Sequence, residues 1–256
     1  MEKILLTQFM AHIIADFFAQ PEYFSRKKQN GNLRSWHIYC HVLIVFTTSL
    51  GMIFTCGFIG YALAIAIIHF GIDILKSTIE RRIKEKKRIN DEQLYTNHYL
   101  FFADQIVHFF VIYVAVAVYC SRDGYVPNYL NLFTTHQLLT ATGLLLCMKP
   151  TNILIRNCLS SLNLYDKMGA DKNDLERAGR WIGTIERIIT LVLVMLQQYT
   201  AIGFIITAKS VLRYNDSKAG KTEYVLIGTL LSFGIALLMG IGIEKGFFES
   251  FLSYIF

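Results

Sequence analysis

The sequence predicts an all-α, polytopic helical membrane protein of about seven transmembrane segments, its first four helices forming a bundle around a polar site. Three observations predict this. Of the 256 residues, 54% are hydrophobic, above the roughly 45–50% of soluble domains, and mean hydropathy is +0.40. Apolar runs recur at lengths near the roughly 20 residues that a spanning helix needs. Charged residues make up only 17% and gather between those runs, and just three prolines interrupt the chain.

In chain order the apolar segments fall near 3–20, 36–58, 58–79, 96–120, 135–158, 182–208 and 223–243. The first is the most polar. The fifth is interrupted by Lys149 and Pro150, which leaves its end open. Between them lie basic loops at 21–35, 80–93 and 159–180. The positive-inside rule puts these loops in the cytoplasm and the N-terminus outside. The stretch 121–134, without charge bias, suits the outside. Residues 209–221 are basic yet would fall outside with seven simple spans, so the C-terminal half holds a re-entrant segment or a different count. A two-part organisation is expected: a four-helix module over 1–120 with a His/Asp site, and a C-terminal transmembrane module over 121–256.

The net charge of +6 resides in a few loops. It speaks for contact with anionic membrane lipid, not nucleic acid. Five scattered cysteines form no C-x-x-C pair, which argues against a disulfide framework. No cleavable signal peptide is expected, because the first helix already carries His12 and Asp16 and no A-x-A site follows.

The informative feature is a set of ionisable residues inside the apolar runs. The first helix has His12, Asp16 and Gln20 at four-residue spacing. The second has His37 and His41, the third His69, Asp73 and Lys76, and the fourth Asp104, Gln105 and His108. Residues four apart lie on one face of a helix, so each helix offers two donors to one direction. With the basic loops on one side, all four pairs fall at a similar depth in the cytoplasmic half of the bilayer.

Ionisable residues within spans are expensive and face the bundle interior. Five histidines and three aspartates at one level are most economically explained by a divalent ion, which neutralises carboxylates and uses imidazole lone pairs. The metal candidates are His12, Asp16, His37, His41, His69, Asp73, Asp104 and His108. Imidazole with carboxylate suits zinc, iron or manganese, and so many donors leave room for a dinuclear centre. Gln20, Gln105 and Lys76 would support the ligands or bind substrate. Two alternatives use the same residues: a proton or ion pathway, and a hydrogen-bonded network that joins helices. His98 and His136 lie nearer the ends of their segments and are read as solvated or capping residues.

At these residues the chain resembles an uncharacterised bacterial membrane family, the domain of unknown function 3307. The resemblance rests on "HIIADFFAQ" (His12, Asp16, Gln20), "HIYCH" (His37, His41), "HFGIDILK" (His69, Asp73, Lys76) and "DQIVH" (Asp104, Gln105, His108). It covers roughly the first half and implies no established reaction. The motif density is also similar, more loosely, to that of integral-membrane metal-dependent hydrolases. The second half looks like the C-terminal module of longer members of the family. There Glu186 and Arg187 follow an interfacial Trp181, and Lys209 and Arg213 make a basic face. Snorkelling side chains and interhelical pairs explain these slightly better than headgroup contacts do. Gly183, Gly203, Gly228 and Gly234 are expected to allow close helix packing.

The preferred functional expectation is an integral-membrane, metal-dependent hydrolase of the bacterial inner membrane. It would act on a phosphoester or lipid-linked substrate at the cytoplasmic side. Asp16 or Asp104 would serve as general base and Lys76 would stabilise developing negative charge. A divalent-cation or proton transporter and a sensor or scaffold with a structural metal are the alternatives.

Overall fold

The computed structural model describes residues 1–19, 36–87, 98–122, 124–161, 172–214 and 219–255. Among them the chain is helical throughout, with no strand. It divides at Leu138/Leu139 into two compact units.

The first unit contains α1 (Glu2–Ile13), α2 (Trp36–Met52), α3 (Ile59–Lys87) and α4 (His98–Arg122). A π-helical turn, Ile14–Phe18, extends α1. Each helix packs on two others in a closed ring: α1 on α2 and α4, and α3 on α2 and α4. The ring buries Ile4, Leu5, Ala11, Val45, Ala62, Ile65, Ile112 and Val116 around its axis. It also buries polar groups. Gln8, 2% exposed, donates from Nε2 to the Ser49 carbonyl at 2.9 Å, while Ser49 Oγ donates to Gln8 Oε1 at 2.6 Å. This reciprocal pair sets the register of α1 against α2.

The outer faces are the reverse of those in a water-soluble bundle. On α3, Leu63, Ile67, Ile68 and Leu75 are exposed while His69 and Asp73 are buried. On α4, Ile106, Val107, Phe110 and Val114 are exposed while Asp104 and His108 are buried.

The second unit contains most of α5 (Thr135–Cys147), then α6 (Lys149–Ser161), α7 (Lys172–Met195), α8 (Tyr199–Tyr214), α9 (Ala219–Glu244) and α10 (Phe247–Ile255). Here α9 is central and packs on α7, α6 and α10. Gly240 lets α9 approach α7: an added Cβ would lie 2.9 Å from Val194 Cβ and Cγ1. Val194 is branched and fully buried, so it has little room to move. Gly240→Ala is therefore expected to destabilise the protein by about 1–3 kcal/mol in denaturant or thermal unfolding. The expected glycines do less. Gly203 and Gly234 have nothing within 4 Å of an added Cβ, Gly228 meets only Leu159 at 3.5 Å, and Gly183 meets Arg187 Nη1 at 3.2 Å.

The count of about seven spans is corrected. Three helical stretches among the described residues are long and apolar enough to cross a membrane: Cys56–Ile83, Tyr99–Arg122 and Leu226–Glu244. The count rises to four if Thr135–Cys147 and Lys149–Leu159, bent by 47°, form one span. The reasons are local. With its π turn, α1 is still short of the roughly 20 residues needed, and the apolar part of α2, Ile38–Met52, is shorter still. The 182–208 segment breaks in two. Gln197 adopts φ 57°, the Gln198 N–H reaches the Leu193 carbonyl at 2.8 Å and the Gln197 N–H that of Val194 at 2.9 Å, which together end α7.

The bend at Met148 follows from Pro150. Proline has no N–H for the Leu146 carbonyl, and Thr151 Oγ1 bonds that carbonyl instead at 2.6 Å. Arg187 takes the next carbonyls. It is 1% exposed, and it donates from Nε to the Cys147 carbonyl at 2.6 Å and from Nη2 to Asn152 Oδ1 at 2.6 Å.

A candidate metal centre inside the four-helix ring

Each helix of the ring sends side chains to one point. On α3, His69 and Asp73 are one turn apart and share the inward face, and their Nε2 and Oδ2 are 3.5 Å apart. His41 arrives from α2 with its Nε2 only 3.0 Å from that of His69. Asp16 arrives from the π turn. There the Ala19 N–H bonds the Ile14 carbonyl, five residues back, at 2.8 Å. The wider turn carries Asp16 across to its neighbours on α2 and α3: Oδ1 lies 3.5 Å from His41 Nε2 and 3.4 Å from His69 Nε2. His41 Nε2 is also 3.6 Å from Asp73 Oδ2.

Four donor atoms thus gather: His41 Nε2 and His69 Nε2 lie 3.0 Å apart, and Asp16 Oδ1 and Asp73 Oδ2 each lie 3.4–3.6 Å from both nitrogens. A tetrahedral ion with bonds of about 2.0–2.1 Å places its ligands about 3.3 Å apart. The match is close. The two imidazole nitrogens can share one proton between them, but that proton cannot also serve two carboxylate oxygens. Asp16 Oδ1 is buried and has no hydrogen-bond partner. Such a cluster is costly unless a cation lies within it. The residues fit a divalent ion.

A second group of donors lies beside this quartet. One ligand atom from each of Asp73, Asp104 and His108 lies within 4.8 Å of the others, all three residues being buried. His108 Nδ1 is 2.8 Å from the Asp104 carbonyl. A carbonyl only accepts, so Nδ1 carries the proton and Nε2 keeps its lone pair. That Nε2 has no hydrogen-bond partner, nor has Asp104 Oδ1. Asp104 Oδ2 accepts from Lys76 Nζ at 2.9 Å and from Gln105 Nε2 at 3.2 Å.

His12 completes the wall. Its ring stacks on His108 with centroids 5.2 Å apart, and its Nε2 donates to Gln105 Oε1 at 3.3 Å. Nε2 is 3.8 Å from Asp16 Oδ2, and His12, Asp16 and His69 form a further group within 4.8 Å. The histidine side chains are 2–3% exposed, whereas Asp16 is 13% and Lys76 25% exposed. Among the charged residues of the cluster, Asp16 and Lys76 are the most open to solvent.

The structure brings His12, Asp16, His41, His69, Asp73, Lys76, Asp104, Gln105 and His108 together. His37 lies in the first turn of α2, but its side chain is outside the described residues, as are the side chain of His98 and all of Gln20. Sequence reasoning missed Gln8, although it stands four residues before His12 and so shares that face. It also missed the π turn, for which no residue pattern in "IADFF" is diagnostic.

In the second unit Glu186 pairs with Lys209, and the Lys209 ammonium lies 5.3 Å from the Phe233 ring centroid. These are interhelical pairs of the expected kind. The side chains of Arg213 and Glu223 lie outside the described residues.

The model of a family described as a protein of unknown function, DUF3307, matches residues 4–153. That range covers all four helices of the ring except the first two residues of α1. No curated protein matches the chain, and no solved structure does.

Proposed function

The chain belongs to the DUF3307 family of proteins of unknown function, and for this member we propose a membrane-embedded, metal-dependent hydrolase. The observation that carries the proposal is the quartet of His41, His69, Asp16 and Asp73, in which both carboxylates lie 3.4–3.6 Å from two imidazole nitrogens that are 3.0 Å apart, a spacing that suits ligands of a shared divalent ion. Zinc, iron and manganese all accept such imidazole and carboxylate ligands. When bound, the ion supplies Lewis acidity toward an oxygen of the substrate or of water.

The protein's own groups would do the rest. Apolar outer faces on α3 and α4 enclose a polar interior, which suits helices immersed in lipid. Asp104 holds Lys76 at the rim, where its ammonium would stabilise negative charge developing on a substrate. Gln105 links Asp104 to His12 and so fixes the orientation of both. Partial exposure of Asp16 and Lys76, with the basic sequences 21–35 and 80–93 following α1 and closing α3 in the chain, suits a phosphoester or lipid-linked substrate approaching from the cytoplasmic surface.

The test is turnover by protein purified without chelators, on phosphoester and acyl-ester lipids in detergent. Hydrolysis that chelator abolishes and zinc or manganese restores is expected. Stoichiometric metal without turnover on any such ester would remove the hydrolase. One observation favours a second reading, passage of a divalent cation: the regular hydrogen-bond ladder of α1 gives way at Asp16, as helices do at many transport sites. Metal flux into proteoliposomes would select that reading.

A further inference from the structure

Beside the resident ion, we propose a second, weaker cation position formed by Asp73, Asp104 and His108, with Lys76 controlling its occupancy. The proposal rests on the metal centre proposed above, because Asp73 belongs to both groups of donors. Two unpaired atoms point to it. His108 Nε2 is left as a lone-pair nitrogen by the bond from Nδ1 to the Asp104 carbonyl, and the residue is 2% exposed. Asp104 Oδ1 is likewise buried without a hydrogen-bond partner. Both belong to residues whose ligand atoms gather with one from Asp73 within 4.8 Å. Neither atom has a hydrogen bond: Asp104 Oδ1 stands 3.7 Å from His108 Nδ1, whose proton goes to the Asp104 carbonyl, and a cation is the group that satisfies both the oxygen and the nitrogen lone pair.

Lys76 explains why this position would be the weaker one. Its ammonium already neutralises Asp104 through Oδ2, with Gln105 Nε2 on the same oxygen. A second divalent ion must therefore bind next to a fixed positive charge, which disfavours it. The charge count then names the substrate class. Two divalent ions and Lys76 against the three aspartates leave two positive charges over, or one when the buried Glu80, one turn beyond Lys76, is counted with them. A phosphate monoester anion balances that excess, and paired ions are the usual device for activating such an ester. Phosphate binding and second-ion binding would consequently favour each other.

The experiment is a Mn²⁺ titration of the full-length metal-free protein in detergent, followed by electron paramagnetic resonance, with and without inorganic phosphate. Wild type is expected to bind one ion tightly and a second more weakly, with spin coupling between the two and a second step that tightens in phosphate. Asp104→Asn and His108→Gln should keep the first ion and lose the second step and the coupling. Lys76→Gln should do the opposite and tighten the second step by about tenfold or more. A single ion in both wild type and Lys76→Gln at saturating Mn²⁺ would overturn the second position and leave the first centre standing. A second step that survives in both Asp104→Asn and His108→Gln would overturn it too, since that ion lies elsewhere. No bound ion in wild type would bring down both the second position and the centre it rests on.

Discussion

Asp73→Ala is expected to leave the protein without its metal. Wild type purified free of chelators should carry about one equivalent of zinc, iron or manganese, and the variant close to none, by elemental analysis. Asp73 is the ligand to choose because it contributes to both groups of donors and stands 3.5–3.6 Å from two histidine nitrogens. Stability should follow. An ion present at about a thousand times its dissociation constant stabilises the folded state by about 4 kcal/mol. Chelator should therefore lower the melting temperature of wild type and leave that of Asp73→Ala unchanged.

The metal-free proteins separate a metal centre from a hydrogen-bonded network. Without an ion, the quartet crowds two carboxylate oxygens against two imidazole nitrogens. Removing one carboxylate relieves that crowding, so Asp73→Ala should be at least as stable as metal-free wild type. A network would give the reverse: a variant clearly less stable than wild type, with no effect of chelator on either. That result, or undiminished metal in the variant, would sink the centre.

Arg187→Met is expected to produce the largest loss of stability outside the site, and a metal-independent one. Arg187 Nε bonds the Cys147 carbonyl, Nη1 bonds Ser232 Oγ at 2.9 Å, and Nη2 reaches Asn152 Oδ1, Thr184 Oγ1 and the Met148 carbonyl. Methionine fills similar space but donates nothing. The carbonyls at the bend and Asn152 Oδ1 would then lose their guanidinium donor, at about 1–3 kcal/mol for each buried group left unmet. A total loss of at least about 3 kcal/mol is expected in thermal or denaturant unfolding. Lysine should restore little of it, because a single ammonium cannot span acceptors arranged around a planar fork. Destabilisation below about 1 kcal/mol would show that the bend holds without this residue.

Much of the site was legible in the sequence, for a local reason. Spacing of four residues puts His69 with Asp73, and Asp104 with His108, on one face whatever the fold around them. The cost of burying ionisable groups then makes those faces turn inward together. Other features had no local signal. His12 and Asp16 stay together as a four-residue pair, 3.8 Å apart, but the π turn also brings Asp16 to His41 and His69, while His12 reaches Gln105 and stacks on His108. Glu186 and Arg187 look equivalent as neighbours. Adjacent positions on a helix face different directions, so one pairs with Lys209 and the other is buried at the bend. Counting spans failed where the backbone breaks. A left-handed Gln197 and a proline-induced bend divide stretches whose composition is continuous.

By itself the sequence determined that the chain is helical, that four helices carry histidine and aspartate at helical spacing, and that those residues would be buried. Periodicity and the cost of buried charge decide these, and both act along a single helix. Only the tertiary structure decided which two carboxylates come within 3.4–3.6 Å of the His41 and His69 nitrogens, that Lys76 is committed to Asp104, and which lone pairs are left without a partner. Those are distances between helices, set by how their faces pack around the ring.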